Sequence, residues 1–487
     1  MAEKFPRSEE DRARVENYSF YEDIFIGKHS SAFAKFSAEA SKKQKSMIYL
    51  ICNFGALISK VSADLLFGEQ VNFRFPEKTD QKLIDAVDDI VRNNKLHTRN
   101  YESALSNSYY GDSGIKLRRD AKGNPIIEYI SPETIFPTFE EDNINVTKKI
   151  ELCWVKKVNG KNYLRKEIHT VGAIDNEVWL LNGDELQYKV MFEDVYGMEH
   201  GIKEHEDTGI DDLLVKLIPN WRPSGFAFGI SDYADLGTLF DEINNRMTRM
   251  ADILNRHSDP KLAVPKGVLD EDGKVRTSSF DLFEVSASQG GGINKPEYIT
   301  WDASLESAFK EIDKIVEFLF LFSETSPSVF GLDKGGQADS GRALKFKLIR
   351  TLAKISRKKN YYDEALKWAI VTALKLKKMK PVEPQIIWQD GIPQDTYEAA
   401  QIEEIRLRSK NTSLESSIRR LDGGSDADVT AELDKIKNEE SANMDKALGE
   451  IGKNKPDTSI VDDMNMNDKA PMDGKPNKMD NHQPVKK

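Results

Sequence analysis

Residues 231–256 read SDYADLGTLFDEINNRMTRMADILNR, and residues 302–323 read DASLESAFKEIDKIVEFLFLFS. In the first stretch Leu236, Phe240, Ile243, Met247, Met250 and Leu254 recur at alternating spacings of four and three, which draws one apolar seam along a helix. Ser231 and Asp232 offer an N-cap, and the helix is expected to end near His257, because Pro260 biases the residue before it away from helix. The second stretch carries its own seam through Leu305, Phe309, Ile312, Val316 and Leu319, so the two helices are expected to pair. Between them, residues 257–301 change character. A turn signal spans Val268 to Val275 and three glycines stand at 290–292, which predicts a small α/β or β excursion at the far end of the helix pair.

Working outward, Ile51, Phe54, Ile58, Val61 and Leu65 keep helical spacing up to Gly68, so the chain is expected to begin with helices. From Gly114 to about Trp221 short runs of Val, Ile, Tyr and Trp alternate with turn signals at Lys122-Gly123-Asn124, Asn159-Gly160 and Asn182-Gly183, the pattern of antiparallel strands. Residues 324–339 are loop-like, with Pro327, Gly331, Gly335 and Gly336. Ser340 then opens a helix to about Met379 whose apolar face is Leu344, Leu348, Leu352 and Ile355. Residues 397–438 are again helical in pattern, broken at Gly423-Gly424. From Gly449 to Lys487 there are no aromatics and Lys, Asp, Asn and Pro dominate, which predicts a disordered tail. The fold class expected is α+β.

The formal net charge of −11 excludes a protein whose whole surface grips nucleic acid, because such binding needs Lys and Arg against phosphates, yet it suits a wall past which DNA must slide. Two cysteines, Cys52 and Cys153, make neither a disulfide framework nor a cysteine zinc site. The charged start, Met1 to Glu16, has no signal-peptide core, and the longest apolar run, 47–58, falls short of the roughly 20 residues a membrane span needs, so neither export nor membrane insertion is expected. No phosphate loop, dinucleotide fingerprint or nucleophile elbow is present, and His200 and His205 among their glutamates lack the spacing of a zinc helix, which favours a solvated loop. No catalytic residue, cofactor or metal is assigned. One local charge feature stands out. Arg342, Lys345, Lys347, Arg350, Lys354, Arg357, Lys358 and Lys359 precede the first acid at Asp363, and Lys347, Arg350, Lys354 and Lys358 share one helical stripe. Such a stripe either approaches phosphates or is a solvated face paired with neighbouring acids; both readings stay open.

Taken in order, several segments resemble the portal proteins of tailed phages. Tyr21-Glu22-Asp23-Ile24-Phe25-Ile26-Gly27 and Asn53 through Val71 are similar to that family's opening helices. Tyr110-Gly111-Asp112-Ser113-Gly114 and Tyr129 to Pro137 resemble its wing strands. Asn220 with Gly229-Ile230-Ser231-Asp232 resembles the lead into its first stem helix, Ser340 to Leu344 the start of its long helix, and Trp388 to Asp395 its return strand. The resemblance implies a portal fold: wing at 1–230, stem helices at 231–256 and 302–323, clip at 257–301, tunnel loop at 324–339, long helix and return at 340–396, and a helical crown at 397–448.

By the same resemblance the protein would be a non-enzymatic ring subunit, dodecameric in the virion, at the unique capsid vertex, assembled in the host cytoplasm. Its partners would be double-stranded DNA, the terminase large subunit, major capsid and scaffolding proteins and a head-tail connector. Lys334, Gln337, Lys345 and Lys347 would face DNA, and Asp270, Glu271, Asp272, Lys274, Phe280 and Phe283 would meet the motor or connector. Two other functions compete: a minor head or scaffold-type capsid protein, and a head-associated nucleic-acid-processing enzyme, against which the missing phosphate loop counts. Because the stretch from Gly449 onward has little apolar surface to bury, its removal is expected to leave ring assembly intact, as read by electron microscopy of the truncated protein. Loss of rings would make the tail structural.

Overall fold

A computed structural model describes residues 3–29, 33, 49–258, 261–265, 282–285, 297–299, 306–332, 341–389, 396–422 and 426–453. The chain divides into two compact units, Met1–Pro393 and Gln394–Lys487.

The first unit is built on a helical layer. It opens with α1 (Glu9–Phe25), capped by the Ser8 side chain, and α2 (Phe54–Phe67), capped by Asn53. A short β1 (Asn72–Arg74) leads to α3 (Gln81–Asn93) and α4 (Leu96–Tyr110). A hairpin of β2 (Asp112–Arg119) and β3 (Pro125–Ile130) follows, with β10 (Val215–Pro219) on the far side of β2, all antiparallel. Alternation sends Ile115 and Leu117 into the main core, where they meet Phe67, Val87, Ile218, Tyr362, Leu366 and Ile370. A second antiparallel sheet runs in the order β4 (Ile135–Phe139), β5 (Thr147–Val158), β6 (Lys161–Thr170), β7 (Ala173–Asn182), β8 (Glu185–Lys189), with β9 (His205–Asp207) also pairing β7. Its tight turns fall at Asn159-Gly160 and after Asn182, where the signals in the sequence placed them; Asn159 and Gly160 both adopt positive φ (50° and 78°).

The two seamed helices are α6 (Gly237–Ser258) and α7 (Glu306–Phe322), and they pack together. Leu236, Phe240 and Ile243 are buried as the seam predicts. On α7 the expected seam holds at Leu319, which is buried, and at Ile312 and Val316, which pack against the same cluster; Ile315 and Phe320 widen it, Phe320 meeting Phe54 of α2 with ring centres 6.1 Å apart, while Phe309 is half exposed. The first helix begins at Gly237, not at Ser231. Ser231 is buried and heads a turn instead, its Oγ accepting from the Tyr233 amide at 2.9 Å, while the buried Asp232 spends its carboxylate on other partners. Between the helices β12 (Leu282–Val285) and β13 (Glu297–Ile299) flank β11 (Lys261–Pro265), the first pair parallel and the second antiparallel. The strands on either side of the 268–275 turn signal are therefore not two arms of one hairpin.

Downstream, α8 (Gly341–Lys347) and the 28-residue α9 (Ile349–Leu376) replace the single expected helix, with the break at Leu348. Strand β14 (Gln385–Ile387) returns to pair antiparallel with β1. The second unit holds α10 (Thr396–Arg408), α11 (Leu414–Asp422) and α12 (Asp426–Lys453), with consecutive helices packed on each other. Its last helix runs through Gly449 and Gly452 to Lys453, so the expected tail boundary is moved: a helix already formed tolerates a glycine at a cost of about 1 kcal/mol. Residues 454–487 of that expected tail lie outside the described residues. No described helix is long and apolar enough to cross a membrane.

One close crossing fixes the lead into α6. Gly111, at φ 92°, caps α4 and its carbonyl accepts from the Asn220 amide at 2.7 Å. A Cβ on Gly229 would stand 2.0 Å from the Gly111 carbonyl oxygen. Beside it Asp112 accepts from the Tyr18 hydroxyl at 2.7 Å and from the Gly229 amide at 2.8 Å. Gly229→Ala is therefore expected to lower stability by about 1–3 kcal/mol, as overpacking does, in urea unfolding of the purified protein. An unchanged midpoint would mean that this crossing is loose.

Candidate functional site

Along α9 the positions Thr351, Ile355, Lys358 and Tyr362 follow one another at spacings of four, three and four, and all are buried. Lys358 thus occupies a place in the inward face of an amphipathic helix, and Lys354, four residues earlier, lies beside it. A buried ammonium needs a counter-charge. Asp232 supplies it: its carboxylate lies 2.6 Å from Lys358 Nζ and 3.1 Å from Lys354 Nζ. The same carboxylate accepts from Ser108 Oγ at 2.6 Å and from Asn220 Nδ2 at 3.0 Å. Lys358 Nζ also donates to Ser62 Oγ at 2.6 Å, and Lys354 Nζ to the Ser323 carbonyl at 2.9 Å. One carboxylate therefore ties together α2, α4, the lead into α6, the end of α7, and α9.

Burial opposes charge on both partners, but the outcome differs. Asp232 has two ammoniums and two neutral donors, and the lysines outweigh desolvation to hold its carboxyl well below the usual carboxylate range. Lys358 is as deeply desolvated and shares a single counter-charge with Lys354, so burial pushes its ammonium down to about 8.

Immediately after α7 the chain turns at Glu324, whose φ is 53°. Its carboxylate takes Arg350 at 3.3 Å and Arg357 at 2.5 Å. Thr351 Oγ1 donates to the Glu324 carbonyl at 3.0 Å and accepts from the Ser326 amide at 2.8 Å. A short turn, Pro327–Phe330, follows, and Phe330 lies with its ring centre 5.3 Å from that of Phe320. In this part of the 324–339 loop Glu324 and Ser326 are thus bonded to α9, and Val329 and Phe330 pack on the core. Leu332, by contrast, is exposed.

Of the DNA-facing candidates, Lys345 and Lys347 are exposed on α8, whereas Lys334 and Gln337 lie outside the described residues. The basic stripe does not survive as a stripe. Lys354 and Lys358 are buried on Asp232, and the exposed Arg350 joins Arg357 on Glu324, so two of the four stripe residues are internal counter-charges and a third is paired with an acid. Asp270, Glu271, Asp272, Lys274 and Phe280 also lie outside the described residues; Phe283 is in β12. His205 stands on the exposed β9 beside Asp175 and Asp207, and no group of three potential metal ligands occurs among the described residues. Reading the sequence missed Asp232 as the hub of the site. The signal available was Lys358 sitting in phase with Ile355 and Tyr362.

Apolar side chains flank this region on the outside. Phe318, Leu321 and Phe322 on α7, Phe346 on α8 and Ile349 at the start of α9 are all exposed, Leu321 and Phe346 by nearly two thirds (65% and 64%).

The family described as "Phage portal protein, SPP1 Gp6-like" matches residues 6–446. No curated protein matches the sequence. Among solved structures, the chain is similar to one in the virion of a native gene transfer agent particle, with a TM-score of 0.44 and 10% identity over 75% of this chain and 89% of that one. It is similar also to chains in the neck of the empty particle computed with C6 symmetry (TM-score 0.46, 9% identity, 78% and 96% covered) and the neck of the native particle computed with C12 symmetry (0.44, 10%, 75% and 89%).

Removing one partner of a buried ion pair strands the other, at a cost of about 3–5 kcal/mol. Asp232→Ala, which strands two lysines, is expected to fall in that range by urea unfolding, and Lys358→Met, which leaves Lys354 on the carboxylate, to cost less. Because the native carboxyl titrates below its unfolded value, its contribution is complete above about pH 4 and is lost as pH falls toward the native value. The wild type should therefore lose stability on acidification by more than the Asp232→Ala variant, and parallel acid profiles would contradict this account.

Proposed function

The chain belongs to the phage portal protein family, SPP1 Gp6-like, and from that premise we propose that its subunits close into a ring at the unique vertex of a viral head, forming the channel through which DNA is packaged and ejected. The family is structural rather than enzymatic. Under this reading the terminase large subunit supplies the energy, and the ring supplies the passage.

The observation that carries the reading is the run of exposed apolar side chains on α7, α8 and the start of α9, on either side of the 324–339 loop. A lone subunit leaves Phe318, Leu321, Phe322, Phe346 and Ile349 in water, and a closed head-to-tail ring covers such a surface with a different, complementary face of the neighbouring subunit. Residues 324–339 would then form the tunnel loop. Its root is held by Glu324 on Arg350 and Arg357 and by Thr351 on the backbone, so a force on the loop is passed to α9 instead of being absorbed at a floppy hinge. Lys334 and Gln337 would touch passing phosphates, with Lys345 and Lys347 nearby. The contacts would be weak, since each strong one would have to be broken at every step. The ring is taken to be dodecameric, with 257–301 as the clip that meets the motor and later the connector, and with major capsid and scaffolding proteins around it.

Purified protein should form rings with a central hole in negative-stain images, and Phe318→Asp combined with Phe322→Asp should yield folded single subunits. Lys334→Glu should assemble normally yet lower the yield of packaged DNA. Rings that survive the double change would remove the interface, and normal packaging by Lys334→Glu would remove the loop assignment.

A further inference from the structure

Three turns far apart in the sequence meet at one end of the β2–β3 hairpin. Register places Arg119 opposite Pro125. Arg119 Nε donates to the carbonyl of Leu376, the last residue of α9, at 3.1 Å, and Asn94 Nδ2 donates to the Pro125 carbonyl at 3.2 Å. The end of α3, the tip of the hairpin and the end of α9 are thereby joined, and each brings cations: Lys95, then Arg119 and Lys122, then Lys377, Lys378 and Lys380. All are exposed except Lys377, which is half exposed. The acid within the hairpin turn, Asp120, accepts from the amides of Lys122 and Asn124 at 2.8 and 2.7 Å and offsets part of the Lys122 charge, which leaves the other lysines and Arg119 as the net cations of the patch. At the margin Asp207 pairs with His205.

Two of these lysines sit where lysine is conformationally disfavoured. Lys95 follows α3 at φ 49° and Lys378 follows α9 at φ 59°, the left-handed position that ends a helix and favours glycine. At Lys378 the stop is completed by the Met379 amide on the Leu374 carbonyl at 3.0 Å. In a chain of net charge −11, both helix stops carry a cation where glycine would fit better.

We propose that this three-turn patch is a second, sequence-blind contact for the phosphate backbone of double-stranded DNA, distinct from the conduit loop. From Thr351, at the loop root, to Lys377 the helix spans roughly 40 Å, so the two regions do not touch the same phosphates. The composition selects the partner. A protein partner is normally met through an apolar or aromatic centre from which lysine is depleted, and none of the chain's large exposed hydrophobics falls in these turns. Single strands are held on stacking aromatics, and residues 94–99, 119–124 and 376–380 contain no Phe, Tyr or Trp. Lysines on separate exposed turns fit a charged backbone and read no bases.

The test uses the full-length protein, a short random-sequence duplex and fluorescence anisotropy at several salt concentrations. Lys95→Gly with Lys378→Gly removes two charges while relaxing two backbones, so melting should be unchanged or improved. Each lost phosphate contact should lower the slope of log affinity against log salt by about 0.9, so the pair should flatten it by nearly 2 and weaken binding about tenfold at moderate salt. Lys345→Gln with Lys347→Gln, at the other end of α9, should leave this change intact, and rings should form in every variant, so failure here leaves the conduit reading standing. Unchanged affinity and slope would overturn the proposal. So would a lower melting point with unchanged binding, which would assign the lysines to the helix dipole, or tighter binding of polyglutamate than of duplex, which would point to an acidic polypeptide.

Discussion

The carboxylate of Asp232 is the point on which the first unit turns. It accepts from two buried lysines of α9 and from polar side chains of α4 and the segment after β10, and those lysines in turn hold α2 and the end of α7. Hydrophobic burial packs these elements but is indifferent to a small sliding of one helix past another. An ion pair 2.6 Å long inside a core is not indifferent, because a shift of an ångström leaves a desolvated charge without its partner. The pair therefore acts on register. It fixes where the lead into α6 meets α9, and so where the loop after α7 emerges.

Two carboxylates lie close to the Gly111–Gly229 crossing, and their environments drive them in opposite directions. Asp112 is fully enclosed with neutral donors, Tyr18 and the Gly229 amide, and burial raises its carboxyl to about 7. Asp232 touches two ammoniums and is driven down. Contact with a full charge outweighs desolvation; contact with dipoles at these distances does not. The close approach that makes both sites possible depends on the missing Cβ atoms of Gly111 and Gly229, which let two backbones lie where any side chain would collide.

The basic residues of α9 divide their work by position. Those in phase with Ile355 and Tyr362 are internal counter-charges; Arg350 and Arg357, turned outward, clamp the acid that starts the loop. Further cations, Lys377, Lys378 and Lys380, gather at the opposite end of the helix, where they join the hairpin tip and the end of α3. Under the proposed function, an acidic chain would in this way keep most of its surface repulsive to DNA and still hold local places for phosphate contact.

The sequence by itself determined the local grammar: the seams of 231–256 and 302–323, the strands between Gly114 and Trp221 with their Asn-Gly turns, the absence of a nucleotide cradle, and an order of segments similar to that of portal proteins. Those features are legible because periodicity and turn chemistry act over a few residues. Only the tertiary structure decided which cations are buried, that Asp232 serves a charge cluster instead of a helix cap, that Ile315 and Phe320 join the inward face of α7, and that three distant turns form one basic surface. The physical reason is range. A lysine reads the same in a sequence whether it meets water or Asp232 more than a hundred residues away, and its role is set by the neighbour that folding brings to it.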